Sequence, residues 1–322
     1  MAAGEARVSG PSRPSPPAGE LDRLIGVARS WAPAQMALAT VISTWGSAPR
    51  PRGSHMLVHA DGRFEGSVSG GCVEGEVLHA AAETIADGRP RRLAYGVDDD
   101  AAWQVGLPCG GEIALFVQRI GAGGFDPALF DRIVAARAAG ETLTMSTDLV
   151  SGETVVGEEA GEERFVNRYT PPRRLLIVGA VQIAQALCGI AGLLDLTPVL
   201  IDPRGRFLTE DRFPGVVLDD RWPDAAIAAH APDAATAVVT LSHDPKIDDP
   251  ALVAALASPA FYVAALGSRR SHAKRLERLA AAGVGAGALA RIDAPAGIAI
   301  GALGPAEIAL SIAAGLVRAF RG

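Results

Sequence analysis

Leu175-Leu-Ile-Val-Gly-Ala-Val-Gln-Ile-Ala-Gln185 runs four apolar residues into a glycine and then into helix-compatible sequence. An apolar run of that length without alternation reads as a strand buried on both faces, and the glycine marks a sharp turn into a helix. The same rhythm continues downstream. Strands are expected at Val199–Ile201, Val216–Leu218, Ala237–Leu241 and Phe261–Leu266, and helices at Gln182–Leu194, Asp249–Ala257, Ser271–Ala282 and Pro305–Phe320. Apolar strands alternating with helices imply an α/β fold with a Rossmann-like, doubly wound parallel sheet.

The turn itself is half a dinucleotide fingerprint. Gly179 is the first glycine and Ala184 the small closing residue, but the middle glycine, which lets a pyrophosphate approach the backbone, is replaced by Val181. Asp202 stands where a ribose-binding acid is expected. The fold signal is strong and the NAD(P) signal weak, because a branched side chain crowds the pyrophosphate. Two further loops follow strand ends, Ser242-His-Asp-Pro-Lys246 and Gly267-Ser-Arg-Arg270. Ligands bind outside the carboxyl ends of such strands. His243, Asp244, Lys246, Ser268 and Arg269 are therefore candidates to line one crevice, although Asp244-Pro245 also suits a simple cap and turn.

Upstream, Tyr169-Thr-Pro-Pro-Arg-Arg174 reads as a linker, with the boundary near Pro171. Residues 1–19 are rich in Pro, Gly and Ser and are expected to form a disordered tail, 20–168 an N-terminal α+β domain, and 175–322 the Rossmann-like domain. In the N-terminal part a helix is expected over Glu20–Trp31 and strands over Met36–Ser43, Met56–Ala60 and Arg63–Val68, the last two joined at Asp61-Gly62. Val73, Val77, Ala81 and Ile85 mark a helix that stops near Gly88; strands at Arg92–Val97 and Ile113–Val117 and further strands in 141–170 follow.

Two of the three cysteines sit in glycine-crowded loops, Ser67-Val-Ser-Gly-Gly-Cys-Val-Glu-Gly75 and Gly106-Leu-Pro-Cys-Gly-Gly-Glu112. Glycines permit positive-φ turns and close approach to a ligand, so both loops read as presenting a thiol. Cys72 lies at the start of a helix, where the helix dipole favours a thiolate. Cys109 precedes a strand. Gly70, Gly71, Glu74, Gly110 and Gly111 complete the two loops as candidate cofactor contacts, and Cys188 inside an apolar helix reads as core. Neither loop cysteine belongs to a C-x₂-C pair, and His55, His59 and His79 add no zinc pattern, so no metal ligands are assigned. Arg50 and Arg52, on a proline-stiffened turn, suit either an anionic cofactor tail or plain solvation.

The 322 residues carry a formal net charge of −6 and no dense basic run, which argues against nucleic acid. No apolar stretch approaches a membrane span and no export signal is evident. The three cysteines form no disulfide framework, so the expected compartment is the cytoplasm.

Several long motifs in one order resemble the XdhC/CoxI family of accessory proteins that mature molybdenum hydroxylases. They are Gly66-Ser-Val-Ser-Gly-Gly-Cys-Val-Glu-Gly75, Gly106-Leu-Pro-Cys-Gly-Gly111, the turn at Gly179, Ser242-His-Asp-Pro-Lys-Ile-Asp-Asp-Pro-Ala-Leu252, Tyr262-Val-Ala-Ala-Leu-Gly-Ser-Arg-Arg270 and Gly304-Pro-Ala-Glu-Ile-Ala-Leu-Ser-Ile312. The resemblance covers nearly everything from about residue 22 onward. It implies a two-domain carrier that binds molybdenum cofactor (molybdopterin) transiently, supports its sulfuration by a cysteine desulfurase, and delivers it to an apo molybdenum hydroxylase. Cys72 and Cys109 inherit a role in cofactor or sulfur handling. The chain departs from the family at Ala180-Val181-Gln182, where Ala-Gly-His is common, which weakens any nucleotide role for that turn. Two other readings remain. One is an NAD(P)-dependent oxidoreductase built on the α/β half. The other is a scaffold that docks partners, or a second copy in a homodimer, through the apolar face of Pro305–Phe320; packing of that face on its own sheet is the expected use.

Overall fold

The computed structural model of the chain describes residues 19–46, 50–96, 111–159, 161 and 163–321. Residues 20–171 form one compact unit and residues 172–322 belong to another.

The first unit contains α1 (Glu20–Ser30), β1 (Met36–Trp45), β2 (His55–His59), β3 (Phe64–Gly66), α2 (Glu74–Asp87), β4 (Arg91–Tyr95), β5 (Glu112–Arg119), α3 (Ala128–Ala138), β6 (Leu143–Asp148), β7 (Thr154–Val156) and β8 (Arg164–Tyr169). An antiparallel sheet runs β3-β2-β1-β5-β4, and a smaller one β7-β6-β8. The period of two in β1 sorts its side chains into two cores. Ala37, Ala39 and Val41 meet Val73, Val77 and Ala81 of the α2 region, while Met36 and Leu38 meet Leu24 and Ile25 of α1 and Ile133 of α3. The hairpin expected at Asp61-Gly62 forms, with Val58 opposite Phe64 and Met56 opposite Gly66. Gly88, at φ +74, stops α2 and returns its N–H to the Thr84 carbonyl.

The second unit runs β9 (Arg173–Val178), α4 (Gln182–Leu193), β10 (Leu196–Ile201), β11 (Val217–Asp219), α5 (Pro223–His230), β12 (Thr236–Thr240), α6 (Pro245–Leu256), β13 (Tyr262–Ala265), α7 (Arg269–Ala281), the short α8 (Ala286–Leu289), β14 (Ile292–Asp293) and α9 (Pro305–Arg321). Its parallel sheet is ordered β11-β10-β9-β12-β13-β14, so the strand order reverses between β9 and β12. Both faces are covered. Leu175 and Ile177 pack with α4 and α9; Leu176 and Val178 pack with α5 and α6.

Several expectations change. Helix α3 is absent from the sequence reading: its inner face includes Arg137, buried and donating to the Thr170 carbonyl at 2.6 Å, which breaks an apolar pattern. Strands β8 and β9 run into the expected linker 169–174, leaving only residues 170–172 between them. Helices α6 and α7 begin at Pro245 and Arg269, earlier than expected, because Asp244 and Ser268 cap them. The apolar face of α9 is spent internally: Ile312 and Leu316 are fully buried against α4, so that face is not free for a homodimer or a docking partner. The expected tail lies outside the described residues, Gly19 excepted.

Candidate functional site

The first cysteine loop is organised around one carboxylate. Glu74, buried at the first position of α2, reaches back over the turn that precedes it. Its Oε1 accepts the Ser67 hydroxyl at 2.7 Å and the Ser69 N–H at 3.0 Å, and its Oε2 accepts the Gly71 N–H at 2.8 Å and the Ser69 hydroxyl. The Ser69 oxygen in turn accepts the N–H groups of Cys72 and Val73, both at 3.0 Å. Burial by itself raises the Glu74 pKa, but the bonds from Ser69 and Ser67 outweigh it and hold the group down at about 2. Gly70 and Gly71 adopt φ of +78° and +117°, which a side chain would strain, and this lets the loop fold over the carboxylate. The result is an exposed Cys72 on a turn whose N–H groups from Val68 to Val73 are bonded within it.

Glu74 is therefore the template of the loop, and its lone pairs face inward rather than toward a guest. Gly111 is described and buried, whereas Cys109 and Gly110 lie outside the described residues. Cys188 is buried in α4 and burial pushes its thiol up to about 12, as expected of core.

The arginine turn serves the fold. Arg50 is half-buried and ion-paired with Glu20. Arg52 donates to the carbonyls of Ile42 at 3.1 Å and Val166 at 3.2 Å and stacks over Phe165. Both guanidinium groups tie segments of the first unit together, and the Arg50 Nε is buried without a hydrogen-bond partner.

At the Rossmann turn, Gly179 has φ +109°, and a Cβ there would stand 2.8 Å from the Ser242 backbone nitrogen. Asp202 is fully buried. It accepts the Ala180 N–H at 2.7 Å and a bidentate fork from Arg204 at 2.9 and 2.7 Å. Burial opposes its ionisation, yet Arg204 and the Ala180 N–H hold its pKa below the usual value. Asp202 is a brace of the turn, which corrects its reading as a ribose hook. Val181 packs on the core at the start of α4.

The two strand-end loops give a mixed outcome. The Asp244 side chain accepts the Lys246 N–H at 2.9 Å and Ser268 accepts that of Ser271 at 3.1 Å; both are helix N-caps. Arg269 is exposed at the first position of α7. His243, exposed at a strained φ of +63°, lines a cavity together with Asp248, Ser271, Lys274 and Arg275. Buried Asp248 accepts the Ser242 hydroxyl at 2.6 Å. Asp248 and Arg275 are missing from the candidates drawn from the sequence. For Arg275 a signal exists, since it precedes the buried Leu279 by one helical turn and so shares the inner face of an otherwise basic helix.

Comparison with known proteins agrees with this architecture. The family model described as XdhC Rossmann domain matches residues 175–316, and the one described as XdhC and CoxI family matches residues 32–96. A protein of Escherichia coli (strain K12) named molybdenum cofactor insertion chaperone PaoD is 32% identical over 286 residues, covering 86% of this chain and 81% of its own. A Bacillus subtilis (strain 168) protein named as a probable xanthine dehydrogenase subunit is 24% identical over 87% of this chain and 92% of its own. A crystal structure described as a xanthine dehydrogenase from Bacillus halodurans superposes with a TM-score of 0.80 over 94% of this chain and 96% of the other; at 23% identity it shows the fold alone. The chain belongs to the XdhC and CoxI family.

Proposed function

We propose that this protein carries molybdenum cofactor as cargo, holds it while a cysteine desulfurase partner performs its sulfuration, and delivers it to an apo molybdenum hydroxylase. One observation carries the reading: Cys72 is exposed on a turn that Glu74 and Ser69 hold from beneath, so the sulfur is presented without the loop having to order itself. A soft thiol suits molybdenum in a sulfur-rich setting. The name of the E. coli relative, a molybdenum cofactor insertion chaperone, supports the carrying and delivery parts of this role. Cys109 is proposed as the second thiol on its motif alone.

A nicotinamide-dependent reaction has less support. At the turn where a pyrophosphate would rest, the Ala180 N–H is taken by Asp202 and the Ala180 carbonyl by Arg212 at 2.9 Å.

The test is purification from a cofactor-producing host, followed by pterin fluorescence after oxidation and by molybdenum analysis. Wild type is expected to carry pterin and molybdenum together, and Cys72→Ala to carry at least tenfold less. Full loading of Cys72→Ala, Cys109→Ala and the double variant would remove the thiol role.

A further inference from the structure

We infer that the crevice where β12 and β13 pass into α6 and α7 is a binding site for a phosphate group, built around Arg275. The crevice is a cavity of about 120 Å3. A single water needs about 10–15 Å3 by the same measure, so a larger guest fits. Its walls include His243, Pro245 and Asp248 on the α6 side and Ser271, Lys274 and Arg275 on the α7 side.

Arg275 is only 5% exposed. Its Nη2 donates to the Leu266 carbonyl at 2.8 Å, which fixes the guanidinium, while Nε and Nη1 are buried with no hydrogen-bond partner. Buried polar atoms are nearly always paired, and a buried charge still more so; an unpaired guanidinium donor in the wall of a cavity marks the place of a missing acceptor. The nearest buried acid does not fill it. Asp248 directs its Oδ1 to the Ser242 hydroxyl at 2.6 Å. Asp248 and Asp249 offset the Arg275 charge at a distance, without a hydrogen bond to Nε or Nη1.

Phosphate fits better than a carboxylate. The Arg275 guanidinium and the Lys274 ammonium are separate donors, and a tetrahedral dianion gives each its own oxygen and carries more charge than a carboxylate. Carboxyl ends of parallel strands are where such ligands sit. The sources with this chemistry are a nucleotide and a non-nucleotide organic phosphate. The site uses residues 242–278 alone, so its test does not depend on cofactor loading.

The experiment is calorimetry on the full chain at low ionic strength, titrating inorganic phosphate, acetate, AMP and adenosine. Saturable 1:1 phosphate binding is expected, with acetate at least tenfold weaker. Arg275→Met should weaken phosphate at least tenfold and Lys274→Ala severalfold. AMP tighter than phosphate assigns a nucleotide source; AMP equal to phosphate assigns a non-nucleotide one. If Arg275→Met fails to fold, the exposed Lys274→Ala and Lys274→Glu decide. No saturation below about 10 mM phosphate, acetate binding equal to phosphate, or wild-type affinity in the folded variants would overturn the site.

Discussion

The Gly71 N–H points into the Glu74 carboxylate, at 2.8 Å from Oε2. A negative charge at the first turn of α2 therefore does two jobs: it complements the helix dipole and it gathers the loop that displays Cys72. Every acceptor it offers is matched by a donor from residues 67–71, so the carboxylate cannot be exchanged for a group that donates.

Glu74→Gln tests this directly. The amide would put donors against N–H groups, and the expected cost is about 1–3 kcal/mol of local order. Hydrogen exchange at residues 68–73 should rise, and alkylation of Cys72 should change rate while overall secondary structure stays. In wild type the depressed pKa makes this contribution complete above the ordinary value of 4.5 and lost as pH falls through about 2. Exchange unchanged in the variant would mean the two glycines alone shape the turn.

Gly179 faces Ser242 across the β9–β12 switch point, with no space for a Cβ and a φ that disfavours one. Gly179→Ala is expected to destabilise the second unit by about 1–3 kcal/mol, read as a lower urea midpoint. An unchanged midpoint would show that the Ser242 backbone yields.

The Rossmann half is legible in the sequence because strands buried on both faces leave little choice of residue: Leu175–Val178 is apolar throughout, and each of its side chains is buried. The site is less legible. Asp202 has the sequence spacing of a ribose acid, but Arg204, two residues on, supplies its counter-ion within a local turn that spacing does not reveal. Asp244 and Ser268 are polar residues after strands, a pattern shared by ligand contacts and helix caps, and here they cap. The exposure of Cys72 accords with its glycine-rich loop, whereas the role of Glu74 depends on the loop folding back on the helix. Helix α3 escapes because Arg137 occupies an inner position where periodicity requires an apolar residue.

Thiol accessibility separates two cysteines. Iodoacetamide near neutral pH should label Cys72 in the folded protein, while Cys188, buried and with its thiol pushed up to about 12, should react only after unfolding. Peptide mapping by mass spectrometry gives the answer for each site. Equal labelling of both in native conditions would contradict the packing of α4.

His55 makes the acid stability of the first unit predictable. It lies between the Thr40 hydroxyl at 2.9 Å and the Tyr169 hydroxyl at 3.0 Å, and burial lowers its pKa from 6.5 to about 4. A ring kept neutral in the fold but free to charge when unfolded stabilises fully above pH 6.5, and that contribution is lost as pH falls to about 4. The full loss is on the order of 3 kcal/mol. Urea unfolding, read by pulsed hydrogen exchange of β1 and β2 peptides, should show the midpoint falling across this window in wild type. His55→Gln should start less stable at neutral pH and fall less steeply. A slope as steep in the variant would place the titrating group elsewhere in the unit.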